Sequence, residues 1–318
     1  MTALIKTNRL KKYFRVNGGY LHAVDDINIE ISKQKTLGVV GESGCGKSTL
    51  GRTILQLLPP TSGEVLFDGE NIVNADRATM KQMRRKMQII FQDPFSSLDP
   101  RLSVYQLIAE PMKQNRMHTG KGELDAKVFE LMQTVGLTSR FVNSYPHELD
   151  GGRRQRIGIA RALALEPDFI VCDEPVSALD VSIQAQILNL LMDIQQDKGL
   201  TYMFITHNLA VVKHISNDIM VMYLGQCVEK AEAEELFRNP QHPYTKALLA
   251  SIPVPNLENR RKLQVMKGEI SNPINPPQGC RFAPRCPYCT QACMEKELEL
   301  KEIEPNHFVA CTLFSNND

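Results

Sequence analysis

One segment constrains this chain more than any other. Gly41, Glu42, Ser43, Gly44, Cys45, Gly46, Lys47, Ser48 and Thr49 fit the phosphate-loop pattern G-x-x-x-x-G-K-[ST] without a gap. The flanks are those such a loop requires. Residues 36–40 form a short β-prone run, and residues 50–58 read as a helix stopped by Pro59 and Pro60. Strand, glycine loop and helix together make an anion cradle. The glycines let successive N–H groups turn inward, and the helix N-terminus adds partial positive charge. Lys47 is then placed to reach β- and γ-phosphates, and Ser48 to hold Mg²⁺.

Around this loop the chain alternates strands with helices. Residues 4–10 and 27–31 read as strands separated by a Gly18-Gly19 turn, and residues 65–68 and 87–91 as further strands. From 102 to 137 the periodicity is helical, with Val104, Leu107, Ile108 and Met112 on one face. Residues 157–165 continue as helix. Residues 169–172 are continuously apolar, as a buried parallel strand should be. Helix over 183–194, strand over 202–205 and helix over 209–215 follow. This order predicts an α/β fold with a parallel sheet covered on both faces, and a helical block inserted between Gln92 and the 169 strand. From residue 239 the texture changes to a proline-rich, irregular tail, with prolines at 240, 243, 253, 255, 273, 276, 277, 284, 287 and 305.

Composition excludes several classes. A net charge of +1 in 318 residues gives no global field for nucleic acid. The run Lys81, Gln82, Met83, Arg84, Arg85, Lys86 reads as a solvated helix face. No apolar run approaches the ~18 residues of a membrane span, and residues 1–10 carry no signal-peptide core. The expectation is a cytosolic chain whose membrane role requires a partner that spans.

Residues 169–174 are an apolar strand ending in Asp173 and Glu174. The carboxyl end of a strand beside a phosphate loop is where nucleotide sites form in open α/β sheets. Asp173 would serve Mg²⁺ through its water shell, and Glu174 would polarise water for in-line attack on the γ-phosphate. Gln92 ends an apolar run, Leu149-Asp150-Gly151-Gly152-Arg153 precedes a helix, Ser177 to Asp180 follow Glu174, and His207 ends the 202–205 strand.

In this order and spacing the motifs resemble the ATP-binding cassette family over roughly the first 235 residues. The resemblance implies a P-loop NTPase (RecA-like) parallel core, an N-terminal antiparallel β subdomain and an inserted α-helical subdomain over about 95–165. It divides the chain into a nucleotide-binding domain, 1–238, and a small, irregular cysteine-rich extension, 239–318. Residues 41–49 are then the Walker A loop, Gln92 the Q-loop glutamine at Mg²⁺, and Asp173 and Glu174 the Walker B pair. Glu174 becomes the general base and His207 the switch at the γ-phosphate. Phe14, with Tyr13 as the competing choice, would stack on adenine. Leu149 to Arg153 become the signature and Asp180 part of the D-loop, both facing ATP on a partner subunit. Gly151 and Gly152 leave backbone N–H groups bare at a helix N-terminus for that purpose.

The signature departs from the family's Leu-Ser-Gly-Gly-Gln, with Asp150 for serine and Arg153 for glutamine. A serine hydroxyl donates to the γ-phosphate where a carboxylate repels it. The ATP site capped by this signature is therefore expected to be weak, and the second ATPase to be a different chain.

The tail strengthens the resemblance. Asn239-Pro240-Gln241-His242-Pro243-Tyr244-Thr245, the Cys280 to Pro287 stretch, and His307 to Cys311 resemble the extension of oligopeptide, dipeptide and nickel importer ATPases, as does FQDPFSSLDPR at 91–101. The pattern is that of the second ATPase subunit in such importers. Of eight cysteines, Cys280, Cys286, Cys289, Cys293 and Cys311 crowd this region, and a cytosolic setting favours metal over disulfides. Four thiolates suit a [4Fe–4S] cluster or tetrahedral zinc, and Cys286-Pro287-Tyr288-Cys289 makes Cys289 a rival zinc ligand. Uncoordinated thiols are the third reading. The resemblance favours a cluster on Cys280, Cys286, Cys293 and Cys311.

The expected function is ATP binding and hydrolysis with Mg²⁺, energising uptake of di- or oligopeptides. The partners implied are a second ATPase subunit, two membrane-spanning permeases and an extracytoplasmic substrate-binding protein, with no nucleic acid. The placement implied is peripheral, at the cytoplasmic face of the membrane. Nickel or another small solute is an alternative cargo, and a degenerate ATP-binding subunit with little turnover an alternative role. No heptad run supports a DNA-repair ATPase of the same superfamily.

Overall fold

The computed structural model describes residues 2–93, 95–251, 273–295 and 298–314. Pro94, Pro253 and Pro255 of the sequence reading lie outside them. In chain order the first elements are β1 (Ala3–Val16), β2 (Gly19–Ser32), β3 (Thr36–Val40), α1 (Lys47–Ile54), β4 (Ser62–Phe67), β5 (Glu70–Asn71), α2 (Arg77–Lys86) and β6 (Met87–Ile90). Then come α3 (Val104–Gln114), α4 (Lys121–Thr134), α5 (Gly151–Leu163), β7 (Phe169–Asp173), α6 (Val181–Lys198), β8 (Thr201–Ile205), α7 (Leu209–Ile215), β9 (Asp218–Tyr223) and β10 (Gln226–Glu232). The chain closes with α8 (Ala233–Arg238), α9 (Pro243–Ala250), α10 (Ala292–Glu295), β11 (Lys301–Glu304) and β12 (His307–Val309).

These elements fall into two compact units. One comprises Met1–Thr2, Ser32–Lys35 and Asn74–Phe204. Its strands lie in the order β8-β7-β6, with β6 and β7 parallel and in register from Met87 opposite Phe169 to Ile90 opposite Cys172. Every residue of β7 and β8 is buried, which is why both read as unbroken apolar runs. Between β6 and β7 the chain builds α3, α4 and α5, which pack on one another. Ser103 starts α3 with a capping box completed by Gln106, which satisfies two otherwise orphaned N–H groups. The helical stretch expected over 102–137 is two helices. Arg116 and His118 adopt φ of 54° and 51°, a conformation that no α-helix can pass through.

The other unit comprises Ala3–Ile31, Thr36–Val73 and Ile205–Asp318. It holds an antiparallel sheet in the order β2-β1-β4-β5 and a second run of strands in the order β11-β12-β10-β9-β3. β3 and β9 are parallel, whereas β9, β10, β12 and β11 are antiparallel in turn. Strands β9, β10, β11 and β12 are absent from the sequence reading. The tail is also less irregular than expected: β12 pairs with β10, placing Val309 opposite Glu229. The first two residues of α9 are Pro243 and Tyr244, and proline is well suited to the first turn of a helix. Helix α1 differs from the expected 50–58. It starts at Lys47 because Gly46 caps it, and ends at Ile54 because Gln56 turns left-handed at φ 53°.

Candidate functional site

The phosphate loop leaves the buried strand β3 and enters α1. Gly46 takes φ +104°, and a Cβ there would lie 1.9 Å from the Ala23 carbonyl oxygen. Only glycine tolerates both the dihedral and the approach. Lys47 is buried, and its Nζ donates to the carbonyl oxygens of Gly41 and Glu42, each at 2.9 Å. The ammonium thus sits inside the curl of the loop. A phosphate entering there meets a positive charge that, being buried, water and salt screen little.

The loop is braced from behind by residues of its own unit. The Glu42 N–H donates to the Tyr244 hydroxyl at 2.9 Å, and the Gly225 N–H donates to the Cys45 carbonyl at 2.8 Å. The Asp25 N–H donates to Gly225 O at 2.8 Å. Asp25 also accepts from the Tyr13 hydroxyl, and the Tyr13 ring stacks on His22 with centroids 3.9 Å apart. Burial alone would push the Asp25 carboxyl up, but hydrogen bonds from Tyr13, His22 and Arg281 outweigh it and hold it below its ordinary value. Phe14 lies half-buried with Lys12 Nζ 5.0 Å from its ring centre. His207, also in this unit, is exposed just past β8.

Gln92, Asp173, Glu174 and Asp180, which the sequence reading expects at the nucleotide, belong to the other unit. Asp173 ends β7 and is 1% exposed, so its charge is held out of bulk water. Glu174 follows at φ +47°, a strained conformation for a non-glycine residue that costs about 1–3 kcal/mol. The Gln92 amide donates to Glu174 Oε2 at 2.9 Å, joining two residues 82 apart in the chain. The turn after β7 is closed by the Ser177 hydroxyl, which donates to Glu174 O at 3.1 Å. Asp180 is exposed at the start of α6.

The unusual signature has a local explanation. Asp150 is the N-cap of α5 and accepts from the Arg153 N–H at 2.8 Å. Its second oxygen pairs with the Arg153 guanidinium. One substitution therefore compensates the other: the carboxylate replaces the serine as a cap, and the arginine neutralises it. Gly151 and Gly152 form the first turn of that helix.

In the C-terminal region Cys280, Cys286, Cys293 and Cys311 line one pocket, with Phe282 and Leu313 among its apolar walls. Cys289 does not line it; its thiol donates to Thr290 O instead. Burial pushes the Cys280 thiol up to about 11, with further upward pressure from Cys311, Cys293 and Cys286. Burial likewise pushes the Cys286 and Cys311 thiols up, whereas at Cys293 burial is outweighed by hydrogen bonds from Thr312 and Thr290, which bring it down. Among the described residues, the group of three or more potential ligands whose donor atoms close to within 4.8 Å is Glu235, Glu304 and His307, not the cysteines. There Glu235 already pairs with Arg238, and His307 lies 2.8 Å from the buried Glu229.

The sequence reading missed the braces. Tyr244 sits 202 residues from Glu42, and Arg281 and Arg285 are more distant still. Only their position beside the cysteines marks the two arginines in the sequence.

A strand–loop–helix phosphate cradle, with a Gln92–Glu174 pair at a strand end, defines a P-loop nucleoside triphosphatase of α/β fold. Comparison with known proteins narrows the class. The family described as "ABC transporter" matches residues 24–177, and that described as "Oligopeptide/dipeptide transporter, C-terminal region" matches residues 228–293. The chain is 48% identical over 322 residues to the oligopeptide transport ATP-binding protein AppF of Bacillus subtilis, covering 98% of each. It is 48% identical over 318 residues to the dipeptide transport ATP-binding protein DppF of Haemophilus influenzae, covering 98% of this chain and 96% of that one. Among solved structures, the ATP-binding cassette MJ0796 bound to ADP and Pi superposes with a TM-score of 0.66 at 28% identity. That match covers 72% of this chain and 98% of MJ0796. The chain belongs to the ABC transporter family of ATP-binding proteins, and it is an ABC-type ATPase. Among the described residues no helix is long and apolar enough to cross a membrane.

Proposed function

We propose that this chain is the ATP-hydrolysing subunit of an importer for di- or oligopeptides, acting peripherally at the cytoplasmic face of the membrane. The observation that supports the cargo class most is the C-terminal region. Its match covers residues 228–293, and the relatives bearing it are named for oligopeptide and dipeptide transport. The partners in this reading are a second, different ATPase subunit, two membrane-spanning permeases and an extracytoplasmic peptide-binding protein. The nucleotide-binding domain is residues 1–238, with its helical subdomain over about 95–165, and the extension is 239–318. Reconstitution with those partners tests it. ATP-dependent uptake of labelled peptide supports the reading, and ATP-dependent uptake of nickel but not peptide contradicts it.

In the nucleotide site, residues 41–49 hold the triphosphate and Lys47 neutralises its β- and γ-phosphates. Ser48 and Gln92 would hold Mg²⁺, with Asp173 serving it through its water shell; when bound, the ion would offset phosphate charge. Glu174 takes the proton of the attacking water, His207 contacts the γ-phosphate, and Phe14 or Tyr13 stacks on adenine. The engaged hydroxyl of Tyr13, tied to Asp25, supports Phe14 as the freer ring.

Asp150 to Arg153, with Asp180, cap ATP on the partner. The Asp150–Arg153 pair removes repulsion but supplies no hydroxyl donor. Asp150→Ser is expected to raise ATP turnover of the complex about three- to tenfold, the worth of one neutral hydrogen bond. Serine caps a helix as well as aspartate does, so melting should be unaffected. Steady-state phosphate release measures the effect, and unchanged turnover would remove the idea of a weakened site.

The four pocket cysteines fit a [4Fe–4S] cluster, which when bound would staple a segment too small to bury much core of its own. Two observations support the cluster over zinc. Cys289 lies outside the pocket, and no three of the pocket sulfurs lie mutually within 4.8 Å, whereas sulfurs on one zinc sit about 3.8 Å apart. Anaerobically purified protein should carry about four irons per chain with broad visible absorbance. Cys280→Ser should abolish both and Cys289→Ser should not. Stoichiometric zinc without colour would overturn the assignment.

A further inference from the structure

Two arginines of the cysteine segment leave it and reach the nucleotide site. Arg281 follows Cys280 directly and Arg285 precedes Cys286 directly, with a short 3-10 turn over Ala283–Arg285 between them. Both are buried, at 8% and 9% exposure. Arg285 forks onto the phosphate-loop residue Glu42, Nη1 to Oε2 at 2.8 Å and Nη2 to Oε1 at 3.1 Å. The Glu42 N–H is held by Tyr244, whose ring meets Tyr223 and Phe282 edge-on or tilted, with centroids 4.7 and 5.3 Å away. Arg281 donates to Leu224 O and to Asp25, and lies 3.4 Å from His22. Leu224 and Asp25 flank Gly225, whose N–H donates to Cys45 in the loop. Asp25 in turn holds Tyr13 and, with it, the Tyr13–His22 stack.

Buried guanidiniums are costly to desolvate, and neither arginine lines the cysteine pocket. A mere staple for the tail would be better served by apolar side chains of similar volume. A planar fork matched to a carboxylate fixes geometry rather than adding much net stability. The geometry points to Arg281 and Arg285 as positioning residues for ATP: Arg285 sets the phosphate loop through Glu42, and Arg281 sets the Tyr13 side through Asp25. ATP affinity thereby depends on how the cysteine segment is held. The inference rests on the reading that residues 41–49 grip the triphosphate.

The test is equilibrium binding of labelled ATP and steady-state turnover, with the full chain in its reconstituted complex. Arg285→Gln is expected to raise the Kd and KM for ATP about tenfold while kcat falls by less than threefold. Arg285→Lys recovers little, because a single ammonium cannot make both bonds. Glu42→Gln removes the same fork from the loop side and leaves the cysteine segment intact, so it reports even where Arg285→Gln weakens the fold. The double variant should bind ATP no worse than either single variant, since both break one interaction. ATP binding by Arg285→Gln and Glu42→Gln equal to that of the unmodified chain overturns the inference alone, as does full additivity in the double variant. Failure of the unmodified complex to bind ATP overturns the phosphate-loop reading and the inference with it.

Discussion

Glu174→Gln is expected to cut ATP turnover by the assembled complex about 10²–10⁴-fold, the range for removing a positioned general base. The substitution keeps the shape of the side chain and an oxygen able to accept from the Gln92 amide, now 2.9 Å from Oε2. It removes the basicity that, in the proposed mechanism, draws a proton from water. The backbone at φ +47° is held there by the turn after β7, in which Ser177 Oγ binds Glu174 O, so glutamine should occupy the same place. ATP affinity should stay within a few-fold, because in the proposed site the triphosphate is held by residues 41–49 and not by Glu174. Phosphate release and ATP binding measured on one preparation separate the two effects. Turnover within threefold of the unmodified complex would remove Glu174 as the base.

Gly46→Ala should abolish nucleotide binding, raising the Kd for ATP by at least about 100-fold. Two independent penalties meet at this position. An alanine at φ +104° is strained by about 1–2 kcal/mol. Its Cβ would also overlap the Ala23 carbonyl oxygen at 1.9 Å, which is backbone and cannot rotate away. Relief requires displacing the loop, and Lys47, which donates to Gly41 and Glu42 within it, moves too. By contrast, Gly44 has φ +78° with open space around its missing Cβ, so Gly44→Ala should be much milder. Equal losses at Gly44 and Gly46 would contradict this account of the loop.

The chemistry of this chain was legible in its sequence because the site is built from local segments. Strand β3, the loop and the end of β7 each carry their residues within one short run, and β3 and α7 fall where the periodicity puts them. What stayed hidden depends on distant contacts. The Asp150–Arg153 ion pair shows only once α5 is seen to begin at Gly151 with Asp150 as its cap. Strands β9 to β12 alternate too little to stand out: all but the first residue of β9 are buried, while β11 is mostly exposed. The helical periodicity over 102–137 did not show where one helix ends and the next begins, because it does not register left-handed residues such as Arg116 and His118. Arg281 and Arg285 gave no sign of their partners, which lie 256 and 243 residues away.

The most direct test is to pass the assembled Glu174→Gln complex through gel filtration with radiolabelled ATP and Mg²⁺, then identify the nucleotide that stays with the protein. Intact ATP, retained with Glu174→Gln and released when Lys47→Ala is added, is the predicted outcome. Recovery of ADP in place of ATP, or retention that does not depend on Lys47, would contradict the central claim that the loop around Lys47 holds a triphosphate whose hydrolysis Glu174 drives.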